Sequence, residues 1–126
     1  MKLIISDTTT PIILAKTKHL NLLSNFVKTV YIPPAVKDEL SQKNDGVKEA
    51  LETGLDLIID ERLGRRYAQS KNINIMGLLG ILKINLLNGF ISYVELLYML
   101  EEFKEVGFRI NPRLEKSFLD SVVGVK

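Results

Sequence analysis

Four acidic residues stand at or just beyond the ends of apolar stretches: Asp7, Glu39, Asp60 and Glu61. Clustered carboxylates repel one another and need a cation, and oxygen ligands without histidine or cysteine suit Mg²⁺ or Mn²⁺. Such a metal can activate water and neutralise charge on a phosphodiester under attack. All four acids are therefore candidate catalytic residues, and Asp7, Glu39 and Asp60 are the candidate metal ligands.

Each acid also has a purely structural explanation. Asp7, followed by Thr8 and Thr9, could cap the first helix, and alone this is as good an explanation as metal binding. Glu39 lies beside a second acid, and the pair fits a solvated helix face. The two acids after the third apolar stretch fit the N-terminus of a helix, where the dipole favours negative charge. Only their shared position at strand ends makes the case for a metal site stronger for the four acids together than for any one of them.

The elements that must position these acids are short apolar strands alternating with helices. The pattern predicts strands over 2–6, 27–32, 55–61 and 73–77. It predicts helices over 11–27, 35–43, 47–54, 62–71, 78–89, 92–107 and from 112 onward. Such alternation indicates a parallel sheet covered by helices on both faces, in one α/β domain spanning 1–126. Ligands bind at the carboxyl ends of parallel strands, so all four acids could share one edge of the sheet.

Several helix boundaries carry clear local signals. Ser92 and Glu95 have the spacing of a capping box, and Asn111-Pro112 suits a helix start. Glycines that follow apolar helical segments, at 54, 89 and 107, predict helix ends. The stripe of leucine and tyrosine over 92–106 is interpreted as core or as an oligomer contact.

Composition limits the function classes. The chain has 126 residues, is 46% hydrophobic and carries a net charge of +2 from 17 basic and 15 acidic residues, unlike a strongly basic nucleic-acid binder. It has no cysteine, which excludes disulfides and thiolate metal sites and suits a reducing compartment. No apolar run of 18 residues occurs. We expect a soluble cytoplasmic protein that does not enter a membrane.

Three arginines, Arg62, Arg65 and Arg66, share one predicted helical face. They could hold a phosphate backbone, and they fit a solvated face beside two acids slightly better. The lone histidine, His19, has no partner at a functional spacing, and no role is predicted for it.

Together, S-D-T-T after a strand, "IPPAVKDEL", "LIIDERLGRRYA" and "INIMGLLGIL" resemble the PIN-like superfamily. The chain is most similar to a prokaryotic branch predicted to bind nucleic acid and related to type II toxin ribonucleases. The ending "EEFKEVGFRINPRLEKSFL" is similar to the C-terminal region of that branch. The resemblance covers nearly the whole chain in order.

The resemblance implies a parallel sheet of order 3-2-1-4-5 and an acidic pocket that binds Mg²⁺ or Mn²⁺. It implies metal-dependent endoribonucleolytic cleavage of RNA. Asp7 matches the first family acid, Glu39 the second, and either Asp60 or Glu61 the acid after the fourth family strand. Thr9 matches the hydroxyl residue that supports the first aspartate.

The chain also departs from that pattern. "ALETG" runs straight into "LDLIIDE", where the family has a further strand and a helix with another acid. The proline after D-T-S is displaced to Pro11, and Asn85-Leu86 stands where the family more often has Ala-Lys. We therefore expect a PIN-like sheet of about four strands with one edge strand lost. With the lost strand beside the second, the expected order in chain numbering is second, first, third, fourth.

The lost segment has two expected consequences. Uncovered apolar surface predicts a homodimer or a higher oligomer. A pocket short of one carboxylate predicts a weakened ribonuclease, or alternatively a non-catalytic remnant that binds RNA or a partner protein such as an antitoxin. A purely structural oligomer is a third alternative.

Overall fold

The computed structural model of the chain describes residues 2–5, 9–32, 34, 54–59, 74–75 and 77–124. The helices predicted over 35–43 and 62–71 lie outside these residues, as does the one over 47–54 apart from its final glycine. Gly54 itself has φ +73°, the left-handed backbone that a glycine helix stop requires. No helix within the described ranges is long and apolar enough to cross a bilayer.

In the described part of the chain, four short strands form one parallel sheet, as the sequence predicted. They are β1 (Lys2–Ile4), β2 (Thr29–Ile32), β3 (Asp56–Ile59) and β4 (Asn74–Ile75), in the order β3-β2-β1-β4. Along the register, Ile4 pairs with Tyr31 and Tyr31 pairs with Ile58, while Ile4 also pairs with Ile75 on its other side. β1 and β2 therefore form the interior of the sheet.

The order of the strands differs from the predicted one. The third strand was expected beside the first, and it lies at the edge beside β2 instead. Pairing begins where the Asp56 N–H donates to the Lys28 carbonyl at 2.7 Å, and it continues with Val30 opposite Leu57. Strands that are consecutive in the chain commonly pair, and this pairing satisfies the outer backbone groups of β2. Among the described strands, β3 therefore occupies the edge position beside β2 that the prediction assigned to the lost strand.

The single helix predicted over 11–27 is also wrong, because the chain breaks into α1 (Thr9–Lys16) and α2 (Asn21–Ser24). Lys18 has φ 61°, and its N–H donates to the Ala15 carbonyl while the His19 N–H donates to the Leu14 carbonyl. This is the Schellman pattern, with a lysine where glycine is usual. Apolar periodicity continues across the break, so periodicity alone did not reveal it.

The three C-terminal helices begin within one residue of their predicted starts, and the two whose ends were predicted end two residues early. They are α3 (Leu78–Leu87), α4 (Tyr93–Glu105) and α5 (Pro112–Val122). Both bonds of the Ser92–Glu95 capping box are present, at 3.1 and 3.0 Å. The Asn111 side chain accepts from the Arg113 N–H at 2.8 Å, with proline in the first turn. These boundaries depend on atoms no more than three residues apart, which is why the sequence reveals them.

The core combines one residue set from the sheet with another from the helices. Leu3, Val30 and Ile32 are buried on the strands, and further buried side chains come from all five described helices. Those of α3 to α5 include Ile81, Leu82, Leu86, Leu96, Leu100, Phe103, Phe118 and Val122. The stripe on α4 is thus partly core, as interpreted, but Val94 and Tyr98 point outward.

Candidate functional site

The carboxyl ends of the four strands lie along one edge of the sheet, because every strand pair is parallel. β1 is interior to the sheet, with β2 on one side and β4 on the other. In an open parallel sheet this edge is where ligands bind. The sequence acids follow three of these strand ends, so the edge is the candidate site.

Eight of the nine predicted site residues lie outside the described part of the chain: Asp7, Thr8, Glu39, Asp60, Glu61, Arg62, Arg65 and Arg66. The ninth, Thr9, is the first residue of α1 and is exposed. Within the described ranges there is no group of three or more His, Asp or Glu side chains that could hold a metal. The predicted roles of all nine residues, including the support of Asp7 by Thr9, stay predictions.

The strand order sets distances between the chain exits. Neighbouring strands lie about 4.8 Å apart, so β1 and β3, with β2 between them, are separated by about 10 Å. Asp7 comes three residues after β1, Glu39 seven residues after β2, and Asp60 directly after β3. The exits of β1 and β2 are neighbours, whereas the acids after β3 follow the strand furthest from β4.

A buried amide, to which the sequence assigned no role, joins α3 to α2 by hydrogen bonds. The Asn85 side chain on α3 is fully buried and donates to the Leu22 carbonyl at 2.8 Å and to the Ile81 carbonyl at 2.8 Å. Its oxygen accepts from the Asn25 amide at 2.9 Å. Two carbonyl acceptors on one side settle which end is the nitrogen. The signal in the sequence is a lone amide on the apolar face of LLGILKINLL.

His19, to which no role was assigned, joins the α1–α2 turn to α4. Its Nε2 lies 3.1 Å from the Glu102 carboxylate, and its ring meets Phe103 edge-on with centroids 6.0 Å apart. The contact is partly exposed, since the Glu102 side chain is 48% exposed and the His19 side chain 19%. Such a pair orients the turn against α4 and supplies no group for the strand edge.

Lys104 joins α4 to α5. Its ammonium group donates to Glu115 on α5 and, at 3.2 Å, to Glu101 on its own helix. The hydrogen bond to Glu115 raises the pKa of Lys104 above its ordinary value of 10.5; burial opposes this rise, and the hydrogen bond to Glu101 contributes less than either. One cation thus serves two carboxylates, and Glu115 holds it more strongly.

Comparison with protein families gives a match over most of the chain. The model of a family described as PIN domain matches residues 3–55 and 47–123, which together cover most of the chain. No curated protein and no solved structure matches. The matched ranges include β2 to β4, β1 from its second residue, and all five described helices.

Proposed function

The chain belongs to the PIN-domain family, and from that premise we propose that it is a metal-dependent endoribonuclease of toxin type with an incomplete and weakened active site. It acts in the cytoplasm, where its lack of cysteine is no disadvantage. The family match supports a nuclease-related domain, and the acids of this particular chain support the rest of the proposal.

The observation that carries the proposal is the strand arrangement at the candidate edge. β1 and β2 are adjacent and parallel in the interior of the sheet, and the sequence continues from them to Asp7 and Glu39. Acids that follow neighbouring parallel strands can reach one ligand at the sheet edge. In this proposal, Asp7 and Glu39 form the centre of the site.

PIN domains generally use divalent metals, and the donor chemistry of this edge suits one. Asp7, Glu39 and Asp60 would hold Mg²⁺ or Mn²⁺ through carboxylate oxygens. The bound ion would supply an activated water and neutralise charge on the phosphodiester. The chain's own contribution is the negative charge that holds the ion and the sheet that fixes where the carboxylates start.

The position of β3 makes the third acid the weak member of the set. Asp60 and Glu61 follow a strand about 10 Å from β1, two strand spacings away, so neither starts beside Asp7. Of the two, the one whose side chain turns toward β2 completes the site. This separation, added to the family acid that has no counterpart here, lowers metal affinity and makes two-metal chemistry unfavourable.

RNA binding in this proposal uses Arg62, Arg65 and Arg66, which follow the third acid in the chain. Guanidinium groups pair with phosphate oxygens and position the backbone without reading the sequence. Because the chain carries a net charge of only +2, this local cluster has to supply the attraction.

The second candidate is a non-catalytic remnant that binds RNA or a partner protein such as an antitoxin. The observation that favours it is the same separation of β1 from β3, since an edge too wide for a metal can still accept a peptide or a phosphate chain. A homodimer or higher oligomer is proposed with either function, because Ile58 on the edge strand is 39% exposed.

The test is calorimetric titration of Mn²⁺ into the wild type, the Asp7→Asn variant and the Asp56→Asn variant. Asp56 is the matched control, since it is an exposed acid at the amino-terminal end of β3, and therefore lies at the opposite end of the strands from the candidate site. We expect binding that is lost in Asp7→Asn and kept in Asp56→Asn, and Mn²⁺-dependent RNA cleavage that follows the same pattern.

Absence of Mn²⁺ binding in all three proteins would refute the proposal that the chain is a metal-dependent ribonuclease. RNA binding that needs no metal and weakens with salt would then favour the remnant. Equal loss in Asp7→Asn and Asp56→Asn would refute the assignment of the site to the carboxyl edge.

A further inference from the structure

The outer face of α4 combines exposed apolar and acidic side chains in one line. We define it by Val94, Tyr98, Glu101 and Glu105, whose spacing of four, three and four residues places them on the same side of the helix. Val94 is 60% exposed and Tyr98 is 71% exposed, although Leu96, Leu100 and Phe103 on the opposite side are in the core. The line is about 16 Å long at about 1.5 Å per residue.

This face is held rigidly. α4 begins at a complete capping box and ends at Glu105, and the φ of +110° at Gly107 just beyond it lets the Phe108 N–H donate back to the Phe103 carbonyl at 2.9 Å. His19 and Lys104 attach its flanks to the α1–α2 turn and to α5. A preorganised helix loses little conformational entropy when a partner binds, which favours recognition.

The acidic end of the face keeps negative charge that its own fold does not neutralise. α4 contains four glutamates and one lysine in a chain of net charge +2. Glu102 is engaged with His19 and Glu95 with the capping box. Glu101 is 68% exposed and shares Lys104 with Glu115, which holds that lysine more strongly. Glu105 is exposed and has no ion-pair partner among the described residues.

We propose that the outer face of α4 is a docking surface for a cationic amphipathic helix of another protein. The apolar side chains of that helix would cover Val94 and Tyr98, and its Lys or Arg residues, one to two turns further along, would meet Glu101 and Glu105. Tyrosine is enriched in binding surfaces because it combines a large apolar ring with a polar tip. The inference rests on the described residues of α4 and is independent of the proposed nuclease site.

The charge pattern excludes two other occupants. Nucleic acid is repelled by the glutamates. A second copy of this chain would pair α4 with α4 about a two-fold axis. An antiparallel pair centred between Tyr98 and Glu101 sets Glu101 and Glu105 against Tyr98 and Val94, and one centred nearer the C-terminus sets glutamate against glutamate. A pair centred between Val94 and Tyr98 joins the apolar residues but gives the glutamates no cationic partner. The acidic end of the face is therefore matched by a cationic helix and not by a second α4.

The test uses two labelled synthetic peptides of 18 residues. Both carry leucine at every third or fourth position on one face, one with lysine at the flanking positions and the other with glutamate there. Fluorescence anisotropy measures their binding to the full chain. We expect the cationic peptide to bind, with weakening at high salt, and the anionic peptide not to bind. Equal binding of both peptides, or of neither, would overturn the proposal.

Variants locate the binding. Tyr98→Ala should weaken the cationic peptide by about tenfold or more, as truncation of an interface tyrosine does, and Glu105→Lys should also weaken it. The matched controls are Leu114→Ala, which removes an apolar side chain 56% exposed on α5, and Asp120→Lys on the same helix. Both should leave binding within about twofold, as expected for residues away from a contact.

Two further measurements separate this proposal from its rivals. Asp7→Asn should bind the cationic peptide like the wild type. Loss of peptide binding in Asp7→Asn would place the binding site at the carboxyl ends of the strands and refute the α4 surface. Sedimentation velocity of Tyr98→Ala should match the wild type. A dimer that Tyr98→Ala dissociates would show that a second copy, and not a cationic helix, covers α4.

Discussion

Replacement of Asn85 by leucine is the sharpest test of the contact between α2 and α3. Leucine has the branch point and the number of side-chain heavy atoms of asparagine, so Asn85→Leu removes the hydrogen bonds and keeps the branched shape, although its methyl groups fill more space than the amide. The Leu22 carbonyl and the Asn25 amide both lose their partner. The Ile81 carbonyl keeps the backbone bond of its helix.

The magnitude follows from how buried each orphaned group is. A buried polar group left without a partner costs about 1–3 kcal/mol. The Leu22 carbonyl lies against the fully buried Asn85 position, so the cost of leaving it unpaired lies in the upper part of that range. The half-buried Asn25 amide can reach water, so the cost of leaving it unpaired lies in the lower part. We expect Asn85→Leu to lower the free energy of unfolding by about 3 kcal/mol, on the same basis.

The assay is urea unfolding followed by circular dichroism. Asn88→Leu is the matched control, because Asn88 terminates the same helix and its amide donates to the Ile84 carbonyl at 2.8 Å in an exposed position. This control should change stability by no more than about 0.5 kcal/mol, as surface substitutions do. Equal midpoints for Asn85→Leu and Asn88→Leu would refute the reasoning.

A double-mutant cycle with Asn25→Ala isolates one of the bonds. The coupling between Asn25→Ala and Asn85→Leu should be about 1 kcal/mol, typical of a single hydrogen bond between neutral groups. A coupling near zero would mean that the Asn25 amide is equally well satisfied by water.

Three other predictions concern single local features. Lys18→Gly should raise the free energy of unfolding by about 0.5–1 kcal/mol, because glycine accepts the φ of 61° without steric cost; a fall in the urea midpoint would contradict this. Ser92→Ala should lower it by about 1 kcal/mol through loss of the cap, whereas the exposed Ser117→Ala should not. The raised pKa of Lys104 means that its ion pairs stabilise the fold fully below pH 10.5 and that this stabilisation is lost as pH rises through the raised value. The stability gap between wild type and Lys104→Gln, measured by urea unfolding, should therefore close at high pH and stay constant from pH 7 to 9.

The predicted family and the α/β class are both confirmed, and the reason is that each depends on many residues in order. The alternation of apolar strands and helices persists although individual boundaries move by one to three residues. A shift such as β2 starting at Thr29 instead of Val27 leaves that alternation intact.

The two wrong predictions have a common cause, since each depends on a choice that local pattern does not encode. The apolar face over 11–27 continues through the turn at Thr17 to Leu20, and the break becomes visible only in the backbone bonds to Leu14 and Ala15. The prediction placed β3 beside β1 because it assumed that the strand next to β2 was lost. The strand with which β3 pairs depends instead on which unpaired strand the connecting segment can reach.

By itself, the sequence determined the parallel α/β class, the capping box of α4, the glycine stops after α3 and α4 and the start of α5, because these features depend on periodicity or on atoms within one helical turn. Only the tertiary structure decided that β3 lies beside β2, that Asn85 ties α3 to α2, and that Tyr98 faces outward while Leu100 faces the core. Those outcomes depend on contacts between residues tens of positions apart. Which backbone groups are open, and which face a neighbour covers, is settled only when the elements pack.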